Sequence, residues 1–401
     1  MVSEDRGPTF HPKPNGRPPV VLQVLPSLVT GGVERGTIDM ALALAEAGWV
    51  PLVASSGGHM VRELDRAGVK HIQLPVQSKN PLVMRANIGR LEEVIRQYGV
   101  DILHARSRAP AWSAFYAAER TGTHFLTTFH GTYNGGLMGL KTAYNAIMTR
   151  GERVIAISQF IGDHIQAVYR TDPRKIRVVH RGIDLDKFDP ARVSQERIIQ
   201  LAQRWRLPDG CPVVMLPGRL TRWKGQKVLI EALAVLGRRD LRCLLVGSDQ
   251  GRTAYTEELQ AQIERRGLTD VVHILGDCND MPAAYMLTDV VVSASTDPEA
   301  FGRVIVEAQA MGRPVVATDN GAGRENVLDG QTGLLVPPDD AAAMALALDR
   351  ILAIGAEERE LRAAVAIRFA RENFSRQLMC ARTLGVYREV LGLQPDGDDG
   401  A

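Results

Sequence analysis

This 401-residue chain is short of cysteine, of long apolar runs and of net charge, and each shortage removes a class of protein. Its four cysteines, Cys211, Cys243, Cys278 and Cys380, stand far apart with neither C-x-x-C nor Cys/His spacing. A disulfide scaffold and a zinc module are both excluded on that ground. Most of these cysteines fall in or beside apolar segments and read as reduced core thiols of a cytoplasmic protein. No apolar run approaches the roughly 20 residues that a membrane-spanning helix requires, and 45% hydrophobic with 23% charged residues describe a soluble globular chain. Net charge is only +2; residues 1–190 carry 23 Lys and Arg against 17 Asp and Glu, and the remainder 25 against 29. That balance supports no nucleic-acid partner, although the basic front half fits an anionic acceptor or the cytoplasmic membrane surface. The first 18 residues, rich in Pro and Gly, lack the apolar core of a secretory signal and read as a disordered tail.

What is present is a repeated alternation of apolar runs and helical segments. The runs Val20 to Leu25, Pro51 to Ala54, His71 to Leu74, Asp101 to Ala105, His124 to Phe129, Arg153 to Ile157 and Ile176 to Val179 predict one parallel sheet wrapped by helices. The pattern restarts at Val213 to Leu216 and continues through Leu241 to Val246, Val271 to Leu275, Val290 to Ser293, Pro314 to Ala317 and Leu334 to Val336. The fold class is therefore α/β with two doubly wound, Rossmann-like domains. Expected boundaries are a tail at 1–18, a first domain at 19–190, a second at 191–374, and a C-terminal helix and tail at 375–401. The polar stretch Arg181 to Arg192, closed by Pro190, is the expected linker, and Asp184 with Asp186 inside it suits a turn better than a magnesium site. Ser375 to Leu391 has the apolar spacing of a helix packed along one face, which leaves open whether it returns to the first domain.

One stretch, Asp297 to Asn320, combines a loop, a helix and a strand with two acids. Pro298 breaks a preceding strand, and Val304, Ile305, Ala308 and Met311 keep helical spacing until Gly312 and Pro314 stop it. Glu299 then stands at the mouth of a helix whose free amides suit phosphate or sugar oxygens. The alternative is that Glu299 caps the helix and Glu307 pairs with Arg303 on a solvated face.

Other loops follow strands, where parallel sheets bind ligands. Gly31-Gly32 follows the first strand and suits either a phosphate or a simple tight turn, without being the dinucleotide G-x-G-x-x-G. Gly218 to Gln226, GRLTRWKGQ, offers Arg219 as a planar fork and Lys224 as a point charge to one diphosphate, or else two solvated cations. It is not a Walker A loop, because Lys224 precedes its glycine. His130 ends the fifth apolar run, before a loop loosened by Gly131, Gly135 and Gly136, and suits either ligand contact or loop fixing; His104, His180 and His273 also lie near strand ends. Ser158 reads as a helix N-cap and not as a nucleophile, since no G-x-S-x-G surrounds it.

Taken together, these residues resemble the GT-B glycosyltransferases called family 4, over nearly the whole chain from Val20 to Leu391. The most specific part is the E-x7-E pair Glu299 and Glu307, followed by VVATDNGAGRENVLDGQTGLLVPPDD. The resemblance implies two domains facing across a cleft, an acceptor-side first domain and a donor-binding second one. It implies a retaining hexosyltransferase that needs no cofactor or metal and uses a UDP- or GDP-sugar. Glu307 would hold the ribose, Arg219 and Lys224 the diphosphate, and Gly31 and Gly32 the distal phosphate. Glu299 would bind donor-sugar hydroxyls beside Ala300, Phe301, Gly302, Arg303 and Val304, with His130 helping to stabilise developing positive charge. Catalysis would rest on Glu299, His130, Arg219 and Lys224, without a carboxylate nucleophile.

Ala300, where relatives frequently carry Gly or Ser, Arg303 and Gln309 depart from the family pattern and bear on which sugar is taken. Lys79, Arg106, Arg108, Tyr133 and Lys141 of the basic half are the expected acceptor contacts, alongside Arg85. The expected acceptor is a glycan or lipid-linked molecule of cell-envelope or lipopolysaccharide synthesis, reached from the cytoplasm or from the inner face of the cytoplasmic membrane. Two alternatives share the fold: a sugar-nucleotide epimerase, and a nucleotide-sugar-binding protein without turnover.

Overall fold

The computed structural model describes residues 16–133 and 140–393. Gly135, Gly136 and residues 1–15 of the expected tail lie outside the described residues, as do residues 394–401. Two compact units are present: one runs to Gly182 and resumes at Arg376, and the other is Ile183–Ser375.

The first unit contains seven parallel strands: β1 Val20–Val24, β2 Val50–Ser55, β3 Lys70–Gln73, β4 Ile102–Ala105, β5 His124–Phe129, β6 Arg153–Ala156 and β7 Ile176–Val178. They lie in the order β3-β2-β1-β4-β5-β6-β7. All five residues of β1 are buried, as a strand covered on both faces by helices requires. Val21 pairs with Pro51 on one side and Ile102 on the other, so the strand order reverses between β1 and β4. The carboxyl ends at such a reversal are where doubly wound sheets bind ligands.

The second unit repeats the scheme with β8 Val213–Pro217, β9 Arg242–Val246, β10 Val272–Leu275, β11 Val290–Ser293, β12 Val315–Thr318 and β13 Gly333–Val336. Their order is β10-β9-β8-β11-β12-β13, which puts the reversal between β8 and β11. Its core packs Val214, Leu216 and Val290 of the sheet against Leu229 and Leu233 of helix Gln226–Leu236 and Leu348 of helix Ala341–Leu352. Each such aliphatic side chain, fully removed from water, contributes about 1.5–3 kcal/mol.

The helix Arg376–Leu391 belongs to the first unit. Its Cys380, Leu384, Val386 and Tyr387 are buried with Met40, Leu44 and Trp49, and the Tyr387 ring stacks on Trp49 at 6.4 Å between centroids. Glu389 adds polar ties, accepting from Arg153 of β6 at 2.8 Å and from Arg177 of β7 at 2.9 Å. The division at Gly182 comes before most of the segment read as a linker. Ile183 donates its amide to the Phe374 carbonyl at 2.8 Å, and Phe188 sets its ring edge-on to Tyr285, so this segment packs within the second unit. Asp184 closes a turn there, accepting from the amides of Asp186 and Lys187 at 3.1 Å each. Arg17, assigned from sequence to the tail, is held by Asp101 at 2.9 Å.

Candidate active site

In the second unit the loop after β8 carries Arg219, Arg222 and Lys224, and the three cations have different fates. Arg222 is drawn to Glu258, and its hydrogen bonds, joined by those of Lys227, pull the Glu258 carboxyl down to about 2. Arg219 is exposed and makes no side-chain hydrogen bond among the described residues, while its carbonyl accepts from Gln226 at 2.9 Å. Lys224 turns inward, lying 4.3 Å from the centre of the Trp223 ring, and ion-pairs with Glu299 Oε1. The two side chains are only 14% and 13% exposed. Ser295 Oγ donates to the same oxygen at 2.7 Å.

Glu299 is therefore not the cap of the following helix. That helix, Arg303–Ala310, starts at Gly302 in the left-handed conformation (φ 76°), without a side-chain cap. The amides of Phe301 and Gly302 have no backbone acceptor among the described residues, so the helix mouth keeps donors of the kind that bind oxyanions. The loop is fixed from below. Asn326 donates to the Phe301 carbonyl, and Gln309, buried in the helix, donates to the Asn326 carbonyl at 2.5 Å. The Phe301 ring is buried edge-on to Phe374 at 5.8 Å, which leaves its backbone as the part able to meet a ligand. Ala300 and Val304 are half-buried.

Glu307 does pair with Arg303, at 2.7 Å, but the solvated-face alternative fails because Glu307 is 5% exposed. Its other oxygen accepts from the hydroxyl of fully buried Tyr285 at 2.9 Å. Burial, together with the negative charge of Glu307, pushes the Tyr285 phenol well above its ordinary value, so it remains a donor. Trp223, Tyr285 and Ser295 were missed from sequence. Only Ser295, at the end of an apolar strand and before the loop of Glu299, carried a signal there.

In the first unit Gly31 caps helix Gly32–Glu46 without a side chain, and the Gly32 carbonyl accepts from the Arg181 guanidinium. His104 and His130 end neighbouring strands in opposite circumstances. His104 is buried with both ring nitrogens engaged, by Tyr387 at 2.6 Å and Thr128 at 2.7 Å, which makes it structural. Both ring nitrogens of His130 are buried without a hydrogen-bond partner among the described residues. Burial first, then the positive fields of Arg106 and Arg181, hold His130 well below its ordinary value, so its ring is neutral at pH 7.

The expected acceptor residues differ in exposure. Arg106 is buried, with one nitrogen donating to Gln23 at 3.3 Å. Arg108 lies 4.2 Å over the Tyr133 ring and donates to Asn145 at 3.1 Å. Lys79 and Lys141 are exposed. Ser158 accepts from the Ile161 amide at 3.2 Å, as a cap does. Among the described residues no group of three or more His, Cys, Asp or Glu is placed to hold a metal ion, and no helix is long and apolar enough to cross a membrane.

Residues 30–187 match the model of Glycosyltransferase Family 4, and residues 211–353 that of Glycosyl transferases group 1. The D-inositol 3-phosphate glycosyltransferase of Salinispora tropica is 32% identical over 92% of this chain and 80% of its own. The chain belongs to the family 4 glycosyltransferases. This family 4 chain also superposes on a crystal structure of a glycosyltransferase from Rickettsia africae with a TM-score of 0.87, at 40% identity over 93% of this chain and 99% of that one. Anabaena Alr3699/HepE, solved with UDP and glucose, gives a TM-score of 0.78 at 25% identity over 92% and 98% of the two chains. The GT-B fold class expected from sequence is the one found.

Proposed function

We propose that this glycosyltransferase moves a hexose from a UDP- or GDP-sugar to a glycan or lipid-linked acceptor, with retention of the anomeric configuration and without a metal. The observation that carries the reading is the arrangement around helix Arg303–Ala310: a largely buried Lys224–Glu299 pair at its mouth, open amides at Phe301 and Gly302, and a buried Glu307 one turn in that is hydrogen-bonded through both oxygens. Support for the donor class comes from Alr3699/HepE, whose complexes include UDP-glucose.

On this reading Glu307 binds the ribose hydroxyls, and Arg219 with Lys224 binds the diphosphate. The Gly32 amide meets the distal phosphate. Glu299 accepts from donor-sugar hydroxyls, and neutral His130 approaches the sugar without the repulsion that an imidazolium would bring to developing positive charge. Departure of the diphosphate is the costly step, and fixed donors aimed at it are the strongest electrostatic means available. In a front-face displacement the bond from the anomeric carbon to the diphosphate oxygen breaks as the bond to the acceptor oxygen forms, and the acceptor proton passes to the departing phosphate. Exposed Lys79 and Lys141, with Arg108 on Tyr133, are the proposed acceptor contacts. The proposed site of action is the cytoplasm or the inner face of the membrane, in envelope glycan synthesis.

A thermal-shift and product screen with UDP, GDP and their sugar conjugates, with and without EDTA, tests this reading. Selective, EDTA-resistant stabilisation by one nucleotide, growing as RT ln(1 + [L]/Kd), is expected. Turnover of the sugar nucleotide to an epimer without any acceptor would sink it, as would inversion at the anomeric carbon.

A further inference from the structure

The loop that leads into helix Arg303–Ala310 lies along the segment following β12, and that segment holds it by its carbonyl oxygens. Thr318 Oγ1 donates to the Ser295 carbonyl at 2.8 Å, and Asn320 Nδ2 to that of Thr296 at 3.0 Å. The Ala322 amide donates to the Glu299 carbonyl at 2.9 Å, and Asn326 Nδ2 to that of Phe301. The last of these bonds decides where a main-chain donor points. A trans peptide is planar, with its C=O and N–H on opposite sides, and no peptide bond among the described residues is cis. Drawing the Phe301 oxygen toward Asn326 therefore turns the Gly302 N–H away from Asn326.

Two further observations single out that amide and its support. Gly302 is buried, yet its N–H meets no acceptor among the described residues, although buried main-chain donors are almost always paired. Asn326 is 0% exposed, and its own carbonyl accepts from Gln309 Nε2 at 2.5 Å. The side-chain oxygens of Asn326 and Gln309 are both buried without a partner among the described residues. Apolar side chains would fill the same space without that cost, so these two amides give up stability for direction.

We propose that Asn326, supported by Gln309, is a positioning residue that aims the Gly302 amide at an oxygen of the sugar nucleotide. The proposal rests on the transfer reading for the identity of that ligand. The oxygen belongs either to the diphosphate or to a sugar hydroxyl, and each is an acceptor that completes the missing hydrogen bond. Asn326 touches no ligand itself and acts through the Phe301–Gly302 peptide.

Phe301 alone among the nine phenylalanines is followed by glycine. Full-length protein with isotope-labelled phenylalanine carbonyls and glycine nitrogens thus gives a single nuclear magnetic resonance cross-peak, from the peptide in question. UDP, GDP and their glucose conjugates are added in turn, and the thermal midpoint is read on the same samples. Stabilisation accompanied by a saturable shift of that cross-peak is expected. A shift with the bare nucleotide assigns the oxygen to the diphosphate, and one confined to the glucose conjugate assigns it to the sugar. Asn326→Ala removes the donor, so binding should weaken about tenfold and the cross-peak should barely respond at saturation. Asn326→Asp keeps the shape: ionised, its carboxylate repels the Phe301 carbonyl, and protonated, it donates. Burial raises such a carboxyl, so lowering the pH should restore the response in Asn326→Asp and not in Asn326→Ala. A role confined to holding the fold would lower the midpoint and leave the response at saturation unchanged. Should Asn326→Ala fail to fold, Gln309→Met releases Asn326 from its support and should weaken the response in the same direction. Stabilisation with an unmoved cross-peak, or an unaltered response in the variants, overturns this inference alone. Absence of stabilisation by any of these ligands overturns the transfer reading, and this inference with it.

Discussion

Lys224 and Glu299 neutralise each other, with Ser295 donating to the same carboxylate oxygen, Oε1. Each is assigned a different part of the donor, so the pair holds two binding groups in place before substrate arrives, and a nearly dry setting makes both expensive to leave alone. Lys224→Ala is expected to lower kcat by about 10²–10³-fold, as loss of a preorganised donor to the leaving group does. Glu299→Ala should reduce transfer far more than nucleotide affinity. Both single variants should be less stable than Lys224→Ala/Glu299→Ala predicts by addition, because each strands a charge that the double variant removes. Urea unfolding of the four proteins gives the coupling; strict additivity would mean that the pair is not formed in solution.

Glu307 and Tyr285 give a second separation of roles. Glu307→Ala removes the proposed ribose ligand and also strands a buried phenol, so nucleotide stabilisation should vanish and unfolding should come about 1–3 kcal/mol earlier. Tyr285→Phe deletes only the hydroxyl. It should cost stability to a similar extent while leaving nucleotide binding measurable, which calorimetric titration with the preferred nucleotide checks. Full loss of binding in Tyr285→Phe would show that Glu307 depends on that hydroxyl for its position.

The two doubly wound sheets, though not the order of their strands, were legible in the sequence because fully buried parallel strands leave unbroken apolar runs such as Val20 to Leu25 and Val290 to Ser293. The loop-helix-strand around Glu299 was legible for a similar reason, since Pro298, Gly312 and Pro314 punctuate it. What could not be read was which cations face which acids. GRLTRWKGQ presents Arg219, Arg222 and Lys224 as equivalents, yet only the last turns onto Glu299, while Arg222 leaves for Glu258, 36 residues away. Arg106 and Lys79 likewise looked alike as basic residues of the front half, although one is buried and the other exposed. Partners distant in sequence decide such outcomes, and the local pattern holds no trace of them.

Histidines set the acid limb of stability. His104 and His130 are both held well below their ordinary value, chiefly by burial, so the unfolded chain takes up protons near pH 6.5 that the folded chain refuses. Stability from this source is complete above pH 6.5 and is lost as pH falls toward the folded values, by up to about 1.4 kcal/mol per pH unit for each histidine. The lowered carboxylates, among them Asp280 held by Arg197 and Glu389 held by Arg177, act in a separate window below their unfolded values of 3.8 and 4.5. Urea midpoints between pH 5 and 8 should fall on the acid side, and His130→Gln should remove one proton's worth of the slope. A flat profile in the parent protein would show that His130 and His104 are not both neutral.

Gly321 offers a way to disturb the site without touching a charged group. It adopts φ 62°, where a side chain is strained, and a Cβ there would overlap the Glu299 carbonyl, which accepts from the Ala322 amide at 2.9 Å. The backbone of Glu299 is thus positioned by a bridge that only glycine permits. Gly321→Ala must push the two segments apart, at a cost of about 1–3 kcal/mol, and the displaced carboxylate loses its register with Lys224 and Ser295. The expected outcome is a folded protein with lowered thermal midpoint whose kcat falls steeply while nucleotide affinity, set at Glu307 one helical turn away, changes little. Gly330→Ala, at φ 77° but with no neighbour within 4 Å of the new Cβ, is the matched control for backbone strain alone. It should lose stability without losing transfer, and equal losses of activity in both variants would mean that the Glu299 backbone is not what Gly321 protects.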